Sequence, residues 1–393
     1  MQNIFSDLKV VELAAVLAGP SVGMFFAELG AEVIKVENIH TQGDVTRSWK
    51  LSTESQEEEI SAYFSSINWG KKSIALDLKQ EAGKEVVYDL IKEADMCISS
   101  YLPGKDKKLG MDAATLMRIN PGLICGEING YGSEVERAAY DAIIQAEAGY
   151  TYMNGLGENT FKMPVALMDV LAGHQLKEAM LLAYIQKLKT GQGSRVESSL
   201  LKAGISALVN QASNWLNASH IPQAMGSEHP NIVPYGTQYA CSDGSRILLA
   251  IGSDEQFKRL CENCLGCAVP AEFTTNTQRV SRRPGVHKFL SKEIATQNPI
   301  TLLEKISTEK IPAAKVASMP EVLNSSQAQS LLLEARHSKG LRGFSPDSDI
   351  FPKEKLNAPP LLSGDAHKIL QSLSYDQEKI DKLKEMKAVW IRV

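Results

Sequence analysis

Apolar positions in the first third of the chain follow two patterns that alternate along it. Short continuous apolar runs predict strands, and the longer stretches between them have the period of a helix. The predicted strands cover residues 9–13, 31–36, 73–76, 96–99 and 123–128, and the predicted helices cover 21–29 and 80–93. Strands that alternate with helices at this spacing predict a mainly parallel sheet that helices cover on both faces.

The second half of the chain begins with a longer helical pattern over residues 170–188, which a Gly-rich segment closes. A further apolar helix is predicted over 199–215. Residues 220–234 then hold three prolines and no periodicity, which is typical of a linker or an active-site loop. A strand over 246–251 and a helix over 254–265 follow, and they indicate a smaller α+β domain.

The composition is that of an ordinary globular chain, with 44% hydrophobic and 22% charged residues. A chain of 393 residues exceeds what one hydrophobic core usually serves, so we expect two domains. The net charge of −4 gives no reason to expect nucleic acid or a membrane surface as partner. No secretory signal or membrane-spanning apolar stretch is present, and the six cysteines lie in no small-scaffold spacing, so we expect a cytoplasmic protein with reduced thiols.

Lysines cluster at the ends of the predicted strands, where open α/β sheets usually bind their ligands. The clusters are Lys71 and Lys72, then Lys79, and then Lys105, Lys107 and Lys108. A phosphorylated ligand would suit them, although a solvated surface explains each cluster taken singly. The turn at residues 17–21 precedes a predicted helix, so it either holds an anion or is simply a tight connection.

Three cysteines, Cys261, Cys264 and Cys267, imitate the spacing of an iron–sulfur run. They fall on a predicted helix, where residues three apart share a face, and no fourth ligand follows nearby. The histidines form no metal-binding or hydrolase pattern, and His174 is interpreted as structural. We therefore expect no metal site.

Asp169 is a carboxylate set alone in the apolar run 164–173. Asp is a favoured helix N-cap, and a helix is predicted to begin immediately after it. A helix N-terminus would keep this carboxylate ionised at neutral pH, and apolar neighbours would remove its hydration and increase its nucleophilicity. Spacing alone favours the cap, and the two roles are compatible.

Ordered motifs along nearly the whole chain match those of one family. The matching segments cover residues 9–13, 17–20, 29–37, 43–47, 71–79, 140–141, 190–193, 229–235 and 252–257. Each match is weak by itself, but their number and order are specific. The chain resembles the family III coenzyme A transferases, the group that contains formyl-CoA transferase and carnitine CoA-transferase.

The resemblance implies that Asp169 is the catalytic nucleophile. In that family the carboxylate attacks a donor acyl-CoA, so that CoA thiolate leaves and an aspartyl–acyl mixed anhydride forms. The thiolate then attacks the aspartyl carbonyl, which frees the donor acid and leaves an aspartyl-CoA thioester. The acceptor carboxylate attacks this thioester, and the returning thiolate completes the new acyl-CoA. The implied partners are an acyl-CoA and a carboxylic acid, and no cofactor is needed.

The resemblance also implies a CoA channel. The residues matched to it are Val16, Leu17 and Ala18 beside the thioester, Leu76 and Lys79 around the adenine, and Ser100, Tyr101, Lys108 and Leu109 along the channel. Leu17 stands where formyl-CoA transferases have a glutamine, and Asn38 and Leu102 stand at or near family arginines. The tetraglycine loop before His229 is absent as well. These departures argue against a formyl-CoA and oxalate enzyme.

The family architecture implies a Rossmann-like large α/β domain with a parallel sheet, a smaller α+β domain and an interlaced homodimer. We accordingly assign residues 1–200 and 325–393 to the large CoA-binding domain, 201–224 to a linker and 225–324 to the small domain. In such a dimer each active site lies between the large domain of one chain and the small domain of the other.

Two alternatives stay open. An acyl-CoA racemase of the same fold would use a His-Asp pair where this chain has Tyr140-Asp141, and tyrosine is a poor base for an α-proton. A non-catalytic acyl-CoA-binding protein would keep the scaffold. The retained Asp169 argues against that protein, whereas the lost CoA contacts favour it.

Overall fold

A computed structural model describes residues 3–335, 338–350 and 355–392. In chain order its strands are β1 Lys9–Leu13, β2 Glu32–Asn38, β3 Lys71–Leu76, β4 Met96–Ser99, β5 Ile124–Asn129, β6 Gly155–Leu156, β7 Asn159–Thr160, β8 Ser194–Ser199, β9 Tyr235–Ala240, β10 Arg246–Ala250, β11 Ala313–Lys315, β12 Leu332–Ala335, β13 Ser338–Leu341 and β14 Val389–Trp390. The five strands predicted in the first third all form, each with ends within about two residues of the prediction.

The helices account for most of the remaining regular structure. They are α1 Ala18–Glu28, α2 Ala62–Ser65, α3 Glu81–Glu93, α4 Lys105–Leu109, α5 Ala113–Ile119, α6 Asp141–Glu147, α7 Tyr150–Met153, α8 Leu167–Thr190, α9 Leu200–Ser206, α10 Val209–Ala218, α11 Asp254–Arg259, α12 Asn276–Ser281, α13 Arg283–Ile294, α14 Pro299–Thr308, α15 Met319–Leu323, α16 Ser326–Gln329, α17 Ala366–Ser372 and α18 Gln377–Glu385. Short 3-10 turns occur at Ile39–Thr41, Val45–Ser48 and Ala271–Phe273, and a π turn at Leu260–Leu265.

The chain forms two compact units. The first comprises the described residues of Met1–Gly149, Met163–Ala218 and Ser330–Val393, and the second comprises Tyr150–Lys162 and Ser219–Gln329. Each unit buries an apolar core of its own. Compactness does not measure whether a unit folds alone, so the domain boundaries given above stay a prediction.

A seven-stranded sheet organises the first unit, in the order β14-β3-β2-β1-β4-β5-β8. All its strands run parallel except β14, which pairs antiparallel with β3. The order is doubly wound and reverses between β1 and β4, and ligands of such sheets bind outside the carboxyl ends of the strands at that point. The predicted α/β class with a large parallel sheet is confirmed.

The predicted single helix over residues 199–215 is wrong. The structure has two helices there, α9 and α10, and both belong to the first unit. The break falls before Val209, whose φ is +37°. A β-branched residue adopts such a backbone rarely, and apolar periodicity gives no indication of this local change in backbone direction.

The second unit contains a three-stranded antiparallel sheet in the order β11-β10-β9, with helices packed around a shared apolar core. The cysteine run that imitates a cluster motif contributes to this core. Cys261 and Cys264 are buried, Cys267 is partly buried, and all three are free thiols. The predicted helix over 254–265 ends as the π turn Leu260–Leu265, which carries the first two of them.

Buried charges lie under the connection between β1 and α1. Glu12, Lys35, Asp44 and Lys71 are all almost completely buried. Lys35 Nζ lies 3.0 Å from Glu12 Oε1 and 3.0 Å from Asp44 Oδ2, and Lys71 Nζ lies 2.8 Å from Glu12 Oε2. Burial alone would lower the pKa of Lys35, but the carboxylates of Glu12 and Asp44 raise it above its ordinary value. Burial lowers the pKa of Lys71 to about 8 although Glu12 opposes this, so both lysines are still mainly charged at neutral pH, and the cluster joins β1, β2 and β3.

Glu12→Gln should destabilise the protein by about 3 kcal/mol, because it leaves two buried lysines without their shared carboxylate. The matched control is Glu93→Gln at the half-exposed pair of Lys9 and Glu93, which should cost less than about 1 kcal/mol. Calorimetric melting of both variants checks the difference. Equal losses at the two sites would contradict a structural role for the buried cluster.

Candidate active site

Asp169 lies in the first turn of α8, as the third helical residue. Ala166 occupies the N-cap position, and no side chain of the segment caps the helix. The prediction that Asp169 is the N-cap is therefore wrong, since the helix begins two residues before it, at Leu167. Its side chain is partly buried and is not consumed by a cap hydrogen bond.

The cap comes from a neighbouring helix. Asp141, the first residue of α6, accepts the Met168 N–H through Oδ1 at 2.8 Å. Its Oδ2 accepts Nε2 of Gln145 at 2.7 Å. Both hydrogen bonds come from N–H groups, so each oxygen of the buried Asp141 carboxyl acts as an acceptor here. Asp141 was predicted as part of a family segment and as half of a racemase pair, but this capping role was not predicted, because no local spacing indicates it.

The environment of Asp169 makes it an unusually basic carboxylate. Burial, and then the nearby charge of Asp141, raise the pKa of Asp169 to about 7. The expectation that the helix N-terminus keeps this group fully ionised is therefore wrong, because Asp141 already holds the Met168 N–H and adds a like charge. A carboxylate of this pKa is a stronger nucleophile than an ordinary one and is still largely ionised just above neutrality.

Helix α8 packs closely against α1 because Gly173 on α8 has no side chain. A Cβ at Gly173, one turn after Asp169, would lie 2.5 Å from Ser21 Oγ and 3.2 Å from the Ala18 carbonyl oxygen. Any larger residue there would push the helices apart. The first turn of α8 is thus held beside the β1–α1 connection, where the resemblance puts the thioester.

The β1–α1 connection is itself fixed by hydrogen bonds. Ala15 N–H donates to Ser100 Oγ at 3.0 Å, and Val16 N–H donates to the Asp44 carboxylate at 3.2 Å. Val16 has φ +72°, a strained backbone for a β-branched residue. Leu17 packs against a small apolar cluster around Trp69. The connection is also bonded to the buried charge cluster, through Lys35 to the Ala14 carbonyl and through Asp44 to the Val16 N–H.

A cavity of about 1080 Å³ opens in the first unit at the carboxyl ends of β1, β2 and β4. Of the residues matched to CoA, Lys79, Ser100, Tyr101 and Leu109 line it. The others lie outside its lining. They are Val16, Leu17 and Ala18 in the connection above, Leu76 in the sheet core with 0% exposure, and Lys108 on the exposed surface of α4.

The lysines predicted to bind a ligand divide into two groups. Lys71 belongs to the buried cluster and Lys72 pairs with Glu32, whereas Lys79 and Lys105 line the cavity. Within the described ranges, neither of these last two forms an ion pair with a carboxylate. Their charges are therefore available to an anion inside the cavity.

The cavity wall also contains a histidine–carboxylate contact that was not predicted from the sequence. His40 Nε2 lies 3.0 Å from Asp77 Oδ1, and both residues line the cavity. His40 is about half exposed, at 51% of its side chain. The sequence gives no indication of this contact because His40 follows β2 and Asp77 follows β3, so they come from different βα connections.

Two further properties concern the part of the chain that the structure describes. No helix in it is both long enough and apolar enough to cross a membrane. No group of three or more His, Cys, Asp or Glu side chains in it is arranged to hold a metal ion.

A doubly wound α/β sheet with positively charged side chains in a cavity at its switch point is typical of proteins that bind phosphorylated ligands. The chain belongs to that class: it is a family III CoA-transferase, and the family model described as "CoA-transferase family III" matches residues 5–365. The predicted family and enzyme type are confirmed.

Relatives of known name cover most of the chain. It is 35% identical to the succinate–glutarate CoA-transferase of Agrobacterium fabrum over 334 residues. The aligned region covers 82% of this chain and 82% of that protein. It is 31% identical to the succinyl-CoA:glutarate CoA-transferase of Mus musculus, over 96% of this chain and 88% of that one. The crystal structure of a CaiB/BaiF family protein from Brucella suis is similar with a TM-score of 0.85 at 33% identity, covering 95% of this chain and 100% of that one.

Asp169→Asn should raise thermal stability, and the gain should grow with pH. The folded pKa of about 7 lies above the ordinary 3.8, so ionising Asp169 destabilises the fold. This cost is absent below the ordinary pKa, grows as pH rises and is complete above about 7. Melting scans should give a gain of about 1–3 kcal/mol at pH 8 and a smaller one at pH 5.

The control for this prediction is Asp112→Asn. Although burial opposes it, hydrogen bonds from Thr115 lower the pKa of Asp112, so removing that charge should give no gain at high pH. A gain for Asp169→Asn that stays constant or shrinks between pH 5 and 8 would show that its ionisation is not penalised.

Proposed function

We propose that this CoA-transferase uses Asp169 as a covalent nucleophile. One observation carries the proposal: a partly buried carboxylate with a pKa of about 7 stands in the first turn of α8 without a hydrogen-bonded cap role. Burial keeps water away from a reactive anhydride, and raised basicity increases the attacking power of the carboxylate. The family match over residues 5–365 supports the same role.

The reaction divides into four exchanges in which no proton is gained or lost. Asp169 oxygen bonds to the donor acyl carbon and the C–S bond breaks, which gives a mixed anhydride and CoA thiolate. The thiolate attacks the aspartyl carbonyl, so the donor carboxylate leaves and an aspartyl-CoA thioester remains. The acceptor carboxylate displaces the thiolate, and the thiolate then attacks the acceptor carbonyl and frees Asp169. The thioester energy is conserved throughout, and no cofactor takes part.

We infer that the substrates are dicarboxylic acids and their CoA esters. The relatives that support this are named for succinate, glutarate, oxalate, mesaconate and citramalate, all of which carry two carboxylates. The two relatives at 31–35% identity described above both act on glutarate and a succinyl or succinate partner by name. Succinyl-CoA as donor and glutarate as acceptor are therefore the first pair to assay.

The cavity at the switch point is the proposed CoA site. Lys79 and Lys105 supply positive charge for the phosphates, and Ser100, Tyr101 and Leu109 line the path toward the β1–α1 connection. Val16, Leu17 and Ala18 stand at the proposed thioester end, while Leu76 and Lys108 are matched to CoA by resemblance alone. The volume of about 1080 Å³ suits a large cofactor-sized ligand.

Lys79→Met should raise KM for the acyl-CoA about tenfold with little change in kcat, because it removes one charged contact to phosphate. The control is Lys72→Met, since Lys72 pairs with Glu32 and does not line the cavity. Steady-state kinetics with both variants give the comparison, and an unchanged KM for Lys79→Met would remove this residue from the CoA site.

A homodimer and a cytoplasmic location complete the proposal. Large apolar side chains on α8 and α10 are exposed in the single chain, among them Leu182 at 68%, Leu188 at 69% and Leu216 at 78%. A second copy would cover such a surface, and the interlaced form follows from the family resemblance. Sedimentation at twice the chain mass of 42.9 kDa would support the dimer. The six free cysteines fit a reducing compartment, which cell fractionation can check.

Asp169→Ala should abolish transfer between succinyl-CoA and glutarate, because no other group would form the anhydride. In the unaltered protein, acyl-CoA and hydroxylamine together should give a hydroxamate on Asp169, which peptide mass spectrometry detects. Transfer that survives in Asp169→Ala would exclude the covalent route.

The same incubation separates the alternatives. Exchange of the α-proton for deuterium without an aspartyl adduct would identify an acyl-CoA racemase. Tight acyl-CoA binding with neither adduct nor exchange would identify a non-catalytic binding protein.

A further inference from the structure

Gln145 on α6 is fully buried, at 0% exposure. Its side-chain amide forms hydrogen bonds to Asp141 and to the backbone before α8. Its Nε2 donates to Asp141 Oδ2 at 2.7 Å and also approaches the carbonyl oxygens of Met163 at 3.2 Å and Val165 at 3.3 Å. Its Oε1 accepts the Met163 N–H at 2.7 Å. One side chain thus joins α6 to the segment that enters α8.

That segment has little apolar anchorage of its own. The side chains of Met163, Pro164 and Val165 are all exposed. Leu167, where α8 begins, follows Val165 after one residue, and Asp169 lies on the first turn. The direction of that turn therefore depends on the polar contacts made by Gln145 before the helix and by Asp141 at its first residues.

We propose that Gln145 is a positioning residue for the transfer reaction, because its amide fixes both Asp141 and the chain entering α8 so that the Asp169 carboxylate faces the thioester. This proposal rests on the nucleophilic role proposed above for Asp169. The amide is suited to the task since it offers donors to carbonyl and carboxylate oxygens and an acceptor to a backbone N–H at once.

The arrangement also governs charge. With Gln145 and Met168 both donating to it, each oxygen of the Asp141 carboxylate is held by a hydrogen bond. Without Gln145, Oδ2 loses this hydrogen bond, so Asp141 is no longer held in place and the contribution of its charge to the raised pKa of Asp169 weakens. Gln145 thereby acts on the basicity of Asp169 through Asp141.

Few other titratable groups surround Asp169 in the described structure. Asp141 faces it from α6 and Tyr63 from α2, where burial and then Asp169 and Asp141 raise the pKa of the Tyr63 hydroxyl. On α8 itself, His174 and Lys177 follow one and two turns later. Asp141 is the group among these that Gln145 contacts directly, so a change at Gln145 reports on that pair.

The test uses Gln145→Met, which keeps side-chain length and removes every donor and acceptor. Gln145→Asn is the second variant, since it keeps an amide in the buried site but shortens it by one carbon. The matched control is Gln175→Met on α8, whose amide bonds Ser206 Oγ at 2.7 Å and so ties α8 to α9 instead. Each full-length variant is assayed with succinyl-CoA and glutarate across pH 5.5–9, and its melting temperature is measured alongside.

Gln145→Met should lower kcat about 10- to 100-fold while KM for the acyl-CoA changes less than about threefold, since the CoA cavity is untouched. The acid limb of kcat/KM should move to lower pH, and trapping of Asp169 by hydroxylamine should slow in parallel. Gln145→Asn should change in the same direction by less. Gln175→Met should keep the acid limb and the trapping rate even if its melting temperature falls equally.

Three outcomes would overturn the proposal. These are wild-type kcat and pH profile in the folded Gln145 variants, a loss confined to KM, or the same pH shift in Gln175→Met. Asp169→Ala, assayed in parallel, distinguishes the proposed nucleophilic role of Asp169 from the proposed positioning role of Gln145. Transfer by Asp169→Ala would refute the nucleophile itself, whereas a dead Asp169→Ala beside fully active Gln145 variants would refute only the positioning role.

Discussion

The active edge of the large sheet depends on the buried ion pairs that the Lys35 ammonium forms with Glu12 and Asp44. This ammonium also donates to the Ala14 carbonyl at 2.7 Å, so one buried charge joins two strands to the connection above them. Asp44 in turn holds the Val16 N–H, which keeps a strained residue in place. Removing two opposite charges from water is costly, and the geometry repays it only when every partner is present. The shape of the β1–α1 connection is therefore decided inside the sheet.

Asp141 and Asp169 differ in basicity because their surroundings and hydrogen-bond partners differ. Asp141 receives two hydrogen bonds and serves as the fixed anion that caps α8. Among the residues that the structure describes, no such hydrogen bond to Asp169 is found, and burial and then the charge of Asp141 raise its pKa, so Asp169 becomes the basic member of the pair. Environments that separate two carboxylates in this way are a recurring means of assigning distinct roles to identical groups.

The sequence was sufficient for the parts of the fold that depend on local pattern. Continuous apolar runs such as Lys9–Leu13 and Met96–Ser99 predict buried parallel strands well, because both of their faces are covered. It was insufficient where a contact comes from elsewhere in the chain. The cap of α8 comes from Asp141 on another helix, and Lys71 and Lys79 look alike in sequence although one is buried in an ion cluster and the other lines a cavity. Gln145 gave no signal at all, since a lone glutamine on a helix has no characteristic spacing.

The strand β14 has a consequence for how the protein is made. Trp390 on this strand and Leu362 before it form part of the cavity wall, while Ala14, Lys35 and Ser100 on the same wall come from the first third of the chain. During translation, the floor of the cavity and Asp169, the proposed nucleophile, leave the ribosome before this part of the wall. The nascent protein therefore contains Asp169 before the pocket is finished, and the wall at Trp390 forms only when β14 pairs with β3.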